Sequence, residues 1–143
     1  MHGIYEIEGS FCLVFDLLEG GNLGHYLKSH EGGLPKEECL QVIKGILLGL
    51  KEMHKFEIMH RDIKPENILF RKQKTPIEYS NIVIADLGLA TTQSVEKYLY
   101  FRCGTPGYIA PEVINLVDSN QKYHENCDIF SAGAIFYEMF NFL

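Results

Sequence analysis

His60-Arg61-Asp62-Ile63-Lys64-Pro65-Glu66-Asn67 is the stretch on which the reading of this sequence turns. Six of its eight residues are charged or polar, so it suits neither a buried strand nor a packed helix face. It reads as a loop that carries functional groups. On its C-terminal side Ile68-Leu69-Phe70 is a short β-rich run, residues 71–81 form a polar connector, and residues 82–85 form a second short strand. On its N-terminal side Pro35 opens the clearest helix, which should end near Lys55. Proline suits a first helical turn, and Glu37 and Glu38 favour the positive end of the helix dipole. Leu40, Ile43, Leu47, Leu50 and Met53 recur at helical spacing, with Val42 and Ile46 widening the stripe, which predicts a broad buried face.

Further out, residues 4–18 read as two short strands around a turn at Glu8-Gly9-Ser10. The breaker cluster Glu19-Gly20-Gly21-Asn22 follows, then a short helix over residues 23–29. Residues 86–111 show no sustained period and read as one long loop, a length that is usually functional. From Asn126 onward Ile129, Phe130, Ala132, Gly133, Ile135, Phe136, Met139 and Phe140 are apolar nearly all round, which predicts a buried helix. Periodicity alone therefore gives a mixed α and β chain.

The net charge of −6 argues against a general binder of nucleic acid or of anionic membranes, since both demand basic surface. No apolar run approaches the length of a membrane span, and no basic segment followed by an apolar one marks the N-terminus as a signal peptide. Cys12, Cys39, Cys103 and Cys127 form no CxxC pair and no zinc-type spacing. They read as reduced thiols, which suits a cytoplasmic or nuclear setting.

Four motifs, in order, carry a resemblance. Residues 60–67 match the catalytic loop of protein kinases, with Ile63 where leucine is common. Seven specified letters recur by chance at about one in a billion start positions. Asp86-Leu87-Gly88, after the strand at 82–85, resembles the DFG motif with leucine for phenylalanine. Ala110-Pro111-Glu112 resembles the APE motif and follows Cys103-Gly104-Thr105-Pro106-Gly107-Tyr108. Asp128 with Ser131 and Gly133 resembles the start of the family's central buried helix. The chain is thus identified as resembling a serine/threonine protein kinase. The Cys103-to-Tyr108 stretch and Ala85-Asp86-Leu87-Gly88-Leu89-Ala90 lean toward the calcium/calmodulin-dependent-like group.

The resemblance implies an α+β kinase-like fold: strands of the small-lobe sheet and the hinge over residues 1–18, and part of the mainly helical large lobe over 19–143. It implies ATP and Mg2+ as cofactors and a protein Ser/Thr hydroxyl as acceptor. Asp62 would accept the hydroxyl proton, Lys64 would stabilise charge on the transferred phosphoryl group, and Thr105 would brace both. Asn67 and Asp86 would be the metal ligands, hard oxygen donors as magnesium prefers, brought together by two strands. Asp16 and Leu18 would meet the adenine edge through their backbone, with Phe15 as gatekeeper, Leu69 as floor and Asn22 reaching the ribose. Glu66, grouped with the nucleotide site, also sits where many kinases recognise a basic residue before the phosphosite. His60 would pack against the DFG aromatic position and bond backbone, Leu87 would preserve that apolar packing, and Asp128 would tether the catalytic loop. The other five histidines have no motif context and read as surface. Thr91, Thr92, Ser94, Tyr98 and Tyr100 lie where activation phosphorylation occurs in the family, and Arg61 is placed to pair with such a phosphate. Phe101 stands where related kinases often carry threonine, which leaves Tyr100 as a substitute.

The sequence departs from the family pattern in what it lacks. It has no glycine-rich GxGxxG loop, no VAIK-type lysine ahead of the hinge and no arginine partner for Glu112, so it reads as a partial domain with apolar surface left uncovered. Two functions remain open at this point. One is a kinase whose intact form phosphorylates protein. The other is a non-catalytic fragment that binds or competes for kinase partners.

Overall fold

The computed structural model describes residues 1–30, 32–73 and 76–140. The chain opens with an antiparallel hairpin of β1 (Gly3–Ile7) and β2 (Ser10–Val14), in register Ile7 against Ser10. Glu8 (φ 51°) and Gly9 (φ 77°) form the two-residue turn, and positive φ at both positions suits the right-handed twist of the strands. Both faces are open: Phe11 is 76% exposed and Leu17, just beyond β2, is 83% exposed.

The linker that follows lies along a second hairpin. The amides of Glu19 and Gly20 donate to the carbonyls of Arg71 and Phe70, and the Phe70 amide donates to the Gly21 carbonyl. Helix α1 (Leu23–Lys28) begins where Asn22 Oδ1 accepts the His25 amide at 2.8 Å. Helix α2 (Lys36–His54) has Glu37 and Glu38 in its first turn and Lys51 and His54 in its last, charges that suit the helix dipole.

The short pair β3 (Ile58–Met59) is followed by β4 (Ile68–Phe70) and β5 (Ile82–Ile84). β4 and β5 pair antiparallel with Ile68 opposite Ile84. Residues 74 and 75 of the expected connector lie outside the described residues. Next come β6 (Thr91–Thr92), which pairs with β3, then α3 (Pro111–Ile114) and α4 (Asn126–Phe140).

Helix α2 packs on β5 and α4, and this junction is the main core, with Leu23, Leu27, Val42, Ile46, Leu50, Ile68 and Ile135 among its members. A Cβ at Gly45 would stand 2.6 Å from Ile82 Cβ and 2.8 Å from the Tyr79 carbonyl oxygen, so the helix sits on β5 at a distance only glycine allows. Gly45→Ala should cost roughly 1–3 kcal/mol through forced separation, despite alanine's better helix propensity. A thermal melt that holds or rises in this variant would contradict that packing account. A smaller cluster holds Met59, Tyr98, Val113, Leu116, Tyr123 and Cys127.

Three expectations need correction. The buried face of α2 is centred on Cys39, Val42, Gly45, Ile46 and Leu50, whereas Leu40 (45%) and Leu47 (42%) lie exposed on the adjoining ridge. Only one side of α4 is buried (Cys127, Asp128, Ser131, Ala132, Ile135 and Met139), while Ile129, Phe130 and Phe140 face out. The stretch 86–111 is not structureless: β6 ties it to β3, and Tyr98 is buried within the second cluster.

Candidate functional site

The polar loop 60–67 is held from behind by one buried carboxylate. Asp128, on the first turn of α4, is fully buried. Its Oδ2 accepts the His60 amide at 2.9 Å and its Oδ1 accepts the Arg61 amide at 2.8 Å. His54 Nε2 donates to the same Oδ2 at 2.9 Å. His54 therefore belongs to this network and is not a bare surface residue. His60 is also buried and ties the loop to the end of β5: the Asp62 amide donates to Nδ1 at 3.2 Å, so Nε2 carries the proton and donates to the Ala85 carbonyl at 2.9 Å. Leu87, expected to supply apolar packing beside His60, is 60% exposed.

With the loop anchored, Asp62 stands at its front. Thr105 Oγ1 donates to Asp62 Oδ1 at 2.6 Å, and Lys64 Nζ lies 2.8 Å from Oδ2 and 3.0 Å from Thr105 Oγ1. Asn67 Nδ2 donates to the Asp62 carbonyl at 2.9 Å and to Oδ2 at 3.2 Å. Burial pushes the Asp62 carboxyl up, but the Lys64 ammonium, the Thr105 hydroxyl and the Asn67 amide more than offset it and hold the group below its ordinary value. Lys64 moves the other way: its bond to Asp62 raises it, against a smaller opposing effect of burial. Asp62 is therefore a carboxylate and Lys64 an ammonium at neutral pH.

Asn67 and Asp86 come together because β4 and β5 start and end side by side. The Ala85 amide donates to the Asn67 carbonyl at 2.9 Å, one residue beyond the last strand pair. Asp86 follows in a left-handed conformation (φ 63°), exposed, with Oδ1 accepting the Gly88 amide at 3.1 Å. Asn67 commits its Nδ2 to Asp62, which leaves Oδ1 for an outside partner. One carboxylate plus one amide oxygen is a donor set that suits magnesium completed by phosphate oxygens and water.

The remaining expected residues sit along the linker and its neighbours. Among the described residues, the backbone groups of Asp16 and Leu18 make no backbone hydrogen bond, which leaves them open to a ligand edge. The exposed Asp16 side chain takes His2 Nε2 at 2.7 Å, which lowers its carboxyl. Asn22 bridges to the half-buried Leu69 through backbone, but its Oδ1 is spent on capping α1, which qualifies its expected reach to a ribose. Glu66 is exposed in the turn Pro65–Asn67, beside Gly24. Glu112 has no ion pair among the described residues.

Arg61 differs most from expectation. It is 7% exposed and its guanidinium is engaged: Nε donates to the Leu89 carbonyl at 2.7 Å, and Nη1 donates to the Tyr100 carbonyl at 2.7 Å and the Tyr123 hydroxyl at 3.1 Å. Tyr98, expected among the phosphorylation candidates, is buried with its hydroxyl on the Tyr123 carbonyl at 3.0 Å, whereas Tyr100 is exposed. Tyr123 and His54 were not legible as site residues, since neither lies in a motif. Among the described residues no helix is long and apolar enough to cross a membrane.

A family model described as protein kinase domain matches residues 1–142. A probable serine/threonine-protein kinase of Dictyostelium discoideum is 34% identical over 139 residues, covering 97% of this chain and 16% of the relative. A second, from Saccharomyces cerevisiae, is 34% identical over 137 residues, covering 95% of this chain and 8% of the relative. The chain thus spans under a fifth of the length of these curated relatives.

Proposed function

The chain belongs to the protein kinase domain family, and from that premise we propose that the protein it forms part of transfers the γ-phosphoryl group of ATP to a Ser or Thr hydroxyl of a protein. The observation that carries this reading is the Asp62 carboxylate, ionised and fixed between Lys64, Thr105 and Asn67. Phosphoryl transfer is mostly positioning and charge neutralisation. In this reading Asp62 orients the acceptor hydroxyl and takes its proton as the oxygen bonds to phosphorus and the bond to the leaving oxygen breaks. Thr105 holds Asp62 in one rotamer. Lys64, already beside Asp62 Oδ2, faces charge on the transferred group. Asn67 Oδ1 and Asp86 would hold magnesium, which when bound neutralises phosphate charge. The free backbone groups of Asp16 and Leu18 would receive the adenine edge, above Leu69.

The finer placement is toward the calcium/calmodulin-dependent-like group, supported by the stretches 85–90 and 103–108. Glu66, exposed beside the site, supports a substrate with a basic residue ahead of the acceptor. Four free thiols support a cytoplasmic or nuclear setting.

Calorimetry of magnesium-ATP binding tests the nucleotide site. Saturable, magnesium-dependent binding is expected, weakened roughly a hundredfold in Asp86→Ala because the metal carries several kcal/mol of charge stabilisation. Equal binding by both proteins would overturn the metal assignment. The open apolar faces of the first hairpin and of α4 favour a second reading, in which these residues alone act as a binding module. Pull-down by the isolated chain with no ATP binding would favour it.

A further inference from the structure

Among the described residues, the Arg61 guanidinium is a buried cation that no carboxylate pairs. Its acceptors are two backbone carbonyls of the segment after Asp86, at Leu89 and Tyr100, and one hydroxyl, that of Tyr123. The face of the Tyr98 ring lies 5.3 Å from it. Nη1 has spent both its hydrogens and Nε its one, so a phosphate arriving from the segment would meet only Nη2. Residues 122 and 123 pin the same segment independently. Lys122 Nζ donates to the Val95 carbonyl, and Tyr123 receives the Tyr98 hydroxyl on its carbonyl at 3.0 Å. The Tyr98 and Tyr123 rings meet edge to face at 5.1 Å. The Arg61 backbone, at φ 68°, is fixed by Asp128 and leads directly to Asp62.

We propose that Tyr123 is a positioning residue, whose hydroxyl takes the second hydrogen of Arg61 Nη1 and so orders the segment between Asp86 and Glu112, and through it Asp62, without any phosphate on that segment. The proposal rests on the kinase reading, since only there does segment order govern transfer. A hydrogen bond to a buried charge is strong enough that its loss should be read as about a tenfold change or more.

The test uses the full-length protein carrying these residues, stripped with a phosphatase and verified by mass spectrometry. Hydrogen exchange of amides 94–102 is measured first. Exchange should be the same before and after stripping, should rise about tenfold in Tyr123→Phe, and should be unchanged in Leu99→Ala, whose side chain is exposed on the same segment. Peptide phosphorylation should follow: unchanged on stripping, with kcat lowered about tenfold and KM for ATP unchanged in Tyr123→Phe. Faster exchange on stripping alone, or no effect of Tyr123→Phe on exchange, overturns the proposal. If exchange tracks Tyr123 while no form transfers phosphate, the kinase reading fails and the ordering role stands.

Discussion

Asp62→Asn in the full-length protein is expected to lower kcat for peptide phosphorylation by about a thousandfold, within the range for loss of a proton acceptor. The amide keeps the shape of the carboxylate, so Thr105 can still donate to the oxygen, but it takes no proton from the acceptor hydroxyl. KM for ATP should move little, because Asp62 touches the acceptor side and the proposed metal oxygens belong to Asn67 and Asp86. Steady-state kinetics with a Ser peptide decide this, and retention of a tenth of the activity would remove Asp62 from its role. The wild-type pH profile provides a second check. The Asp62 carboxyl is held below its ordinary value, so its acid limb in kcat should lie below pH ~4. The same shift makes the ionised group contribute stability above that pH, lost as pH falls through the lower folded value.

Asp128→Asn should have the largest effect on stability. The carboxylate accepts three nitrogen donors, two of them amides of buried residues, and the weaker Cys127 thiol at 3.9 Å. An amide nitrogen in place of one oxygen sets donor against donor in a site closed to water. The cost should be about 3 kcal/mol or more, as for breaking a buried charge network. At about 2–4 °C per kcal/mol that is a fall in Tm near 10 °C. His54→Gln, which touches only one oxygen, should cost less. Thermal unfolding of both variants measures the difference, and equal melting points would show that Asp128 does not anchor the loop.

The chemistry was legible in the sequence where it is written in contiguous letters. Residues 60–67 carry a base, a cation and a metal-type amide within eight positions, and Asp86 follows a strand at a recognisable spacing. The structure brings Asp62, Lys64, Asn67 and Thr105 within hydrogen-bond reach and Asp86 beside them. What was not legible depends on partners far along the chain. The acceptors of Arg61 are mostly backbone carbonyls, which every residue has, so its side chain could be read but not its engagement. His54 meets Asp128 across 74 positions, and no local pattern marks that pairing. On α2 the apolar arc is so wide that periodicity could not say which ridge faces inward. Leucines at 40 and 47 outweigh Cys39 and Gly45 by hydrophobicity, yet the small residues admit the close approach to β5.

The linker after the first hairpin has a mechanical consequence. β1 and β2 pack chiefly on each other, and the load path from them into the body runs through the backbone bonds of residues 19–21 to β4 and its neighbour Arg71. At its other end β4 adjoins Asn67, and its partner β5 leads to Asp86. The hairpin is thus a cantilever rooted in the strand pair that spaces the two metal-type oxygens. A push on that arm is delivered to β4 and, through Asn22, to the start of α1, so whatever grips the hairpin has its hand on one end of the strand pair that leads to the site.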